Sequence, residues 1–110
     1  MIEKILLDYL TEKLNVKVAM EVPESKHERY VVIEKTGSGC KDFINRATFA
    51  IQSYAPTLYE AAQLNEEVKE VLNAAVYELD ISKAELDSDY NFTDTVNKRY
   101  RYQAVYVFYY

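Results

Sequence analysis

Apolar residues first recur at three- and four-residue steps, as Ile2, Ile5, Leu6, Tyr9, Leu10 and Leu14, with Glu3, Lys4, Asp8, Glu12 and Lys13 between them. That spacing predicts an amphipathic helix, and Asn15 suits its exit. The period then shortens. "VKVAMEV" (16–22) reads as a short strand and "PESKHE" (23–28) as a polar loop opened by Pro23. "RYVVIEKT" (29–36) predicts a strand from its β-branched residues. "GSG" (37–39) holds both glycines of the chain and predicts a turn. In "FINRATFAIQSYA" (43–55), Ala47, Phe49 and Ile51 alternate with Arg46, Thr48 and Gln52, as in a half-buried strand. Residues 29–55 thus predict a β-hairpin whose connection, about "GSGCKD", is longer than the tightest turns.

Pro56 ends that strand, and Thr57 with Glu60 has the spacing of a capping box, in which hydroxyl and carboxylate satisfy amides at the start of a helix. Ala61, Leu64, Val68, Val71, Leu72 and Ala75 form one apolar stripe behind the cap, through about residue 76. "ELDISKAELDSDYNF" (78–92) predicts a strand around 81–90, exposed or at a sheet edge because of its acids. "TDTVNK" (93–98) is a polar turn, and Arg99–Tyr110 is the last strand. The reading is one α+β domain over 1–110. It has a single antiparallel or mixed sheet with two helices packed on one face, in the order α-β-β-β-α-β-β.

Composition narrows the function classes. At 110 residues, 49% hydrophobic and 28% charged, the chain reads as one ordinary globular domain. No apolar run reaches the ~20 residues that span a bilayer, and charges break the first fourteen residues too often for a signal peptide or anchor. Cys40 is the only cysteine, which excludes an intrachain disulfide and suits a reducing cytoplasm. A net charge of −5 argues against a protein whose main task is gripping a phosphate backbone.

The candidate chemistries are thin. Cys40 and His27 are the only thiol and the only imidazole, and nothing in the sequence sets them beside each other as a nucleophilic pair. "GSGCKD" has its glycines two apart and precedes a strand, unlike a phosphate-binding loop. "DSDYN" (87–91) starts like a calcium loop, but Phe92 and Lys98 stand where glycine and a bidentate glutamate belong. No catalytic, cofactor or metal residues are assigned.

The last strand carries more information. Tyr100, Tyr102, Ala104, Tyr106 and Phe108 share one face, and Arg101, Gln103, Val105, Val107 and Tyr109 share the other. The second face turns apolar toward its end, which a solvated sheet face does not do. Base stacking would need a cationic groove, and only Arg99 and Arg101 lie nearby. A tyrosine-rich subunit contact fits better, with cover by loops or a helix of the same chain as the rival. The candidate contact residues are Val105, Val107, Tyr109 and Tyr110, with Arg46, Gly37, Ser38 and Gly39 of the hairpin.

"NRATFAIQSYAPTLYEAAQLNEEVKEVL" (45–72), preceded by "ERYVVIEKTGSG" and followed by "RYQAVYVFYY", resembles the tail-terminator (tail-completion, head–tail joining) proteins of long-tailed bacteriophages and prophages. The resemblance spans nearly the whole chain in length and element order. It implies an α+β protein, made in the bacterial host cytoplasm, that assembles with itself as a ring, usually hexameric, at the neck end of the virion tail. Its partners there are the tail-tube protein and the head-completion or connector protein, with DNA only as passing cargo, and with no membrane, cofactor or catalysis. The acidic 78–94 segment then suits a channel wall that repels DNA, or simply solubility. Another small head–tail adaptor and an unrelated cytoplasmic interaction domain are the alternative readings.

Overall fold

The computed structural model describes residues 1–24 and 28–110. The chain forms α1 (Ile2–Lys13), β1 (Lys17–Ala19), β2 (Tyr30–Lys41), β3 (Ile44–Ala55), α2 (Leu58–Asn73), α3 (Ala75–Glu78), β4 (Lys83–Asn91) and β5 (Tyr100–Tyr109). The five strands make one mixed sheet in the order β1-β2-β3-β5-β4. β1 joins β2 in parallel and the other pairings are antiparallel, so the fold class is α+β.

Alternation decides which side chains meet the helices. Val31 and Ile33 of β2, Phe49 and Ile51 of β3, and Tyr106 and Phe108 of β5 all point to one face. There they join Leu6 and Leu10 of α1 and Leu64, Val68 and Leu72 of α2 in one buried cluster. Phe49 and Phe108 meet edge to face with ring centres 5.8 Å apart. Each such Leu or Phe contributes about 1.5–3 kcal/mol by leaving water, so this face carries the stability of the fold.

The start of α2 follows from its cap. The Thr57 hydroxyl accepts from the Glu60 amide at 3.2 Å. It also donates to the Glu60 carboxylate at 3.1 Å, so that carboxylate reaches the hydroxyl of Thr57 where the sequence pattern predicts its amide. α2 stops at Asn73, and Ala75 and Val76, expected to continue it, belong to the separate short helix α3. α1 ties this corner down: the Tyr9 hydroxyl donates to the Val71 carbonyl at 2.7 Å, and Lys13 pairs with Glu78 at 2.6 Å.

Other differences from the sequence reading are local. Ile5, expected on the apolar stripe of α1, is 43% exposed, because the sheet is met by Ile2, Leu6, Tyr9 and Leu10. β1 shrinks to three residues, since only Lys17–Ala19 have a partner on β2. The "PESKHE" loop lies partly, and His27 wholly, outside the described residues. The turn expected at Gly37–Gly39 is strand: β2 runs through it to Lys41, and the chain reverses at Asp42–Phe43 with φ of +52° and +66°. That is a two-residue hairpin turn, which needs positive φ at both central positions.

Two buried tyrosines make the fold sensitive to alkali. Burial, with Glu78 beside it, pushes the Tyr9 hydroxyl up to about 12, and burial, with Asp89 and Glu66 nearby, pushes Tyr106 up to about 12. A raised pKa means that the folded state favours the protonated phenol. This contribution is complete below the ordinary tyrosine value near 10 and is lost as pH rises from there toward 12. In an alkaline titration followed by phenolate absorbance and circular dichroism, two of the eleven tyrosines are expected to ionise last, together with loss of helical signal.

Candidate functional site

Among the described residues no helix or strand lies over the sheet face opposite the helices, and the two ends of that face differ. At the Tyr30 end the side chains lie over one another. Tyr30 and Tyr54 stack with ring centres 4.5 Å apart. Arg101 donates to the Tyr54 hydroxyl at 2.9 Å and to the Phe92 carbonyl at 2.6 Å, with its guanidinium over the Phe92 ring. Gln52 donates to Gln103, and Gln103 to the Tyr90 hydroxyl. Within this polar and aromatic lattice Tyr54 is 4% and Gln103 9% exposed, and Val22, Pro23, Glu24 and Glu28 of the loop before β2 border a groove with Tyr30 and Tyr54.

The other end is open, and the register gathers most of the sequence candidates there. Gly37, Thr48, Val107 and Glu85 form one row across β2, β3, β5 and β4, and Gly39, Arg46, Tyr109 and Lys83 form the next. Val105, Val107 and Tyr109 are half-buried on this face, while Arg46, Gly37, Ser38 and Gly39 are exposed. Tyr110 is exposed and extends the ladder by one pair, its amide and carbonyl both bonded to Asn45. Lys83 sits 5.6 Å above the Tyr109 ring and 2.8 Å from Glu85, whose carboxylate holds the ammonium above its ordinary value. Between Gly39, Lys41, Arg46 and Tyr109 lies an open groove of about 540 Å³.

Past this groove the β2–β3 hairpin continues as an arm. Every residue from Glu34 to Lys41 is exposed, as are Ile44, Asn45 and Arg46 of the returning strand. Phe43 at the tip is 100% exposed, and Ile44 beside it is 55% exposed. The sequence reading spreads the connection over "GSGCKD" and starts the returning strand at Phe43, because both glycines draw the turn toward them. "DF" between two β-rich runs carried no turn signal, since left-handed backbone is rare for a large aromatic residue.

The remaining candidates separate. Cys40 is exposed on the arm opposite Asn45, and its suggested partner His27 is outside the described residues. "DSDYN" is extended in β4, with Asp89 turned inward to Lys69 and Asn65, so its acids do not converge as in a calcium loop. The acidic 78–94 segment runs from the end of α3 through β4 into the turn after it. Glu78, Glu85, Asp89 and Asp94 are each held by a neighbour within the chain. The buried Asn65 is a polar position that an apolar stripe does not reveal. Among the described residues no helix is long and apolar enough to cross a membrane.

No protein-family model matches the chain, and no curated protein matches it.

The tip holds a bulky aromatic in left-handed backbone with no packing contact to offset the strain. Replacing Phe43 with Gly is expected to stabilise the fold by about 1 kcal/mol, raising the Tm by roughly 4 °C in thermal denaturation.

Proposed function

We propose that this protein is a ring-forming tail terminator of a long-tailed bacteriophage or prophage. It acts at the neck end of the tail through shape and surface complementarity, with no reaction of its own. The observation that carries the reading is the uncovered end of the sheet, where Val105, Val107 and Tyr109 stay half-exposed beside a protruding arm. A chain that worked alone would close that face, as it closes the Tyr30 end with stacked rings and paired amides. The likeness of 45–72 and of the last strand to tail-terminator sequences supplies the setting.

In this reading copies of the chain meet through two different patches, as a closed ring requires. One side of the ring contacts the tail-tube protein and the other the head connector, and DNA passes through without being gripped. The net charge of −5 is compatible with such passage.

Replacing Val107 and Tyr109 together with aspartate is expected to leave a folded protein that no longer assembles, since two charges then face the contact. Mass measurement and negative-stain imaging over a concentration series, with and without purified tail tubes, read the outcome. Rings formed by the doubly substituted protein would remove this face from the contact. A mass fixed at 12.8 kDa under all conditions would sink the terminator reading itself.

A further inference from the structure

The tip of the β2–β3 hairpin breaks two rules at once. Asp42 and Phe43 both have positive φ, and Phe43 is 100% exposed. Left-handed backbone suits Gly, Asn or Asp at such a turn. A phenylalanine there adds steric strain and returns no packing to the fold. Strained backbone of this kind clusters at binding and switching sites, so the outlier itself points to a function.

The tip is apolar and held in shape. Ile44 beside Phe43 is 55% exposed. The Lys41–Ile44 pair closes the turn, and Asn45 is bonded to Tyr110 through both its amide and its carbonyl. The returning strand is therefore fixed to within two residues of Phe43. A side chain presented on such a frame loses little freedom when it binds, which raises the affinity it can give.

The residues around the tip have the composition of a contact rim. Lys41, Asp42 and Arg46 are exposed and enter no ion pair among the described residues, whereas Lys35, before the bulge, is held by Glu3. An aromatic side chain with a polar rim is the form that binding hot spots take.

Continuity says what covers it. The groove lined by Tyr109 reaches Asp42 and Ile44, the residues on either side of Phe43. Tyr109 is where the ring reading puts the contact between copies. A second copy seated on Val107 and Tyr109 thus extends along that groove to the tip.

We propose that Phe43 is the aromatic anchor of the contact between copies, inserted into the neighbouring subunit from a strained turn. The strain lowers the stability of the free chain, and burial of the ring in the assembly offsets it. The inference rests on the ring reading for the identity of the partner and adds to it the residue that dominates the contact.

Two substitutions test this. Phe43→Gly relieves the strain and removes the ring, while Phe43→Trp keeps an aromatic side chain and gives the protein its only tryptophan. Circular dichroism checks that each variant folds. Phe43→Gly is expected to show a higher Tm together with association about thirtyfold or more weaker than wild type, read by sedimentation over a concentration series. Phe43→Trp is expected to assemble like wild type, with tryptophan emission shifting to the blue as rings form. Rings formed by Phe43→Gly at wild-type concentrations overturn the anchor, and so does assembled Phe43→Trp whose emission stays that of indole in water. If replacing Val107 and Tyr109 abolishes rings in the same series, the ring reading stands without the anchor. Phe43→Gly rings that fail to join purified tail tubes also overturn it, and assign the tip to the tail-tube contact instead. A wild type monomeric at every concentration, with and without tail tubes, refutes both readings.

Discussion

β3 and β5 run beside each other for ten consecutive pairs, from Arg46 opposite Tyr109 to Ala55 opposite Tyr100, with no shift in register. Everything else is hung on this ladder. Because side chains alternate with period two, its register puts Phe49, Ile51, Tyr106 and Phe108 together under the helices. A slip of one residue would turn that whole set to the other face. The bulges fall on the flanking strands, between Lys35 and Gly37 and between Leu86 and Ser88, where irregularity does not disturb the central pair.

The same parity lays out the opposite face, where the chain treats the two ends unequally. At one end long polar and aromatic side chains reach across strands and cover one another. At the other, valines, glycines and a tyrosine are too short or too few to do so, and the β2–β3 arm runs past them into solvent. The contrast lies within one sheet and one set of strands.

Much of the architecture was legible locally. The helical stripes, the Thr57–Glu60 cap and the alternation of the last strand were all readable, and the acids of 78–92 marked a strand around 81–90 as exposed or at an edge, where β4 (Lys83–Asn91) lies. Each of these is a short-range property, set by which residues stand two, three or four apart. The arm misled the reading for a physical reason. Glycine usually marks a turn because it tolerates positive φ, and here it is used in extended strand while Asp42 and Phe43 take the positive φ. The candidate contact residues are scattered in sequence over β2, β3, β5 and Tyr110, and the register brings most of them into neighbouring rows.

The sequence by itself determined the kinds of element, their order apart from α3, and which face of each central strand and helix is apolar, because periodicity and capping act within a few residues. The tertiary structure alone decided that β1 is parallel, that β5 inserts between β3 and β4, that the hairpin reverses at Asp42–Phe43, and that one end of the outer face stays uncovered. Those outcomes depend on pairing between segments tens of residues apart. Alternation tells a side chain whether to face in or out, and it does not tell a strand which neighbour it will have.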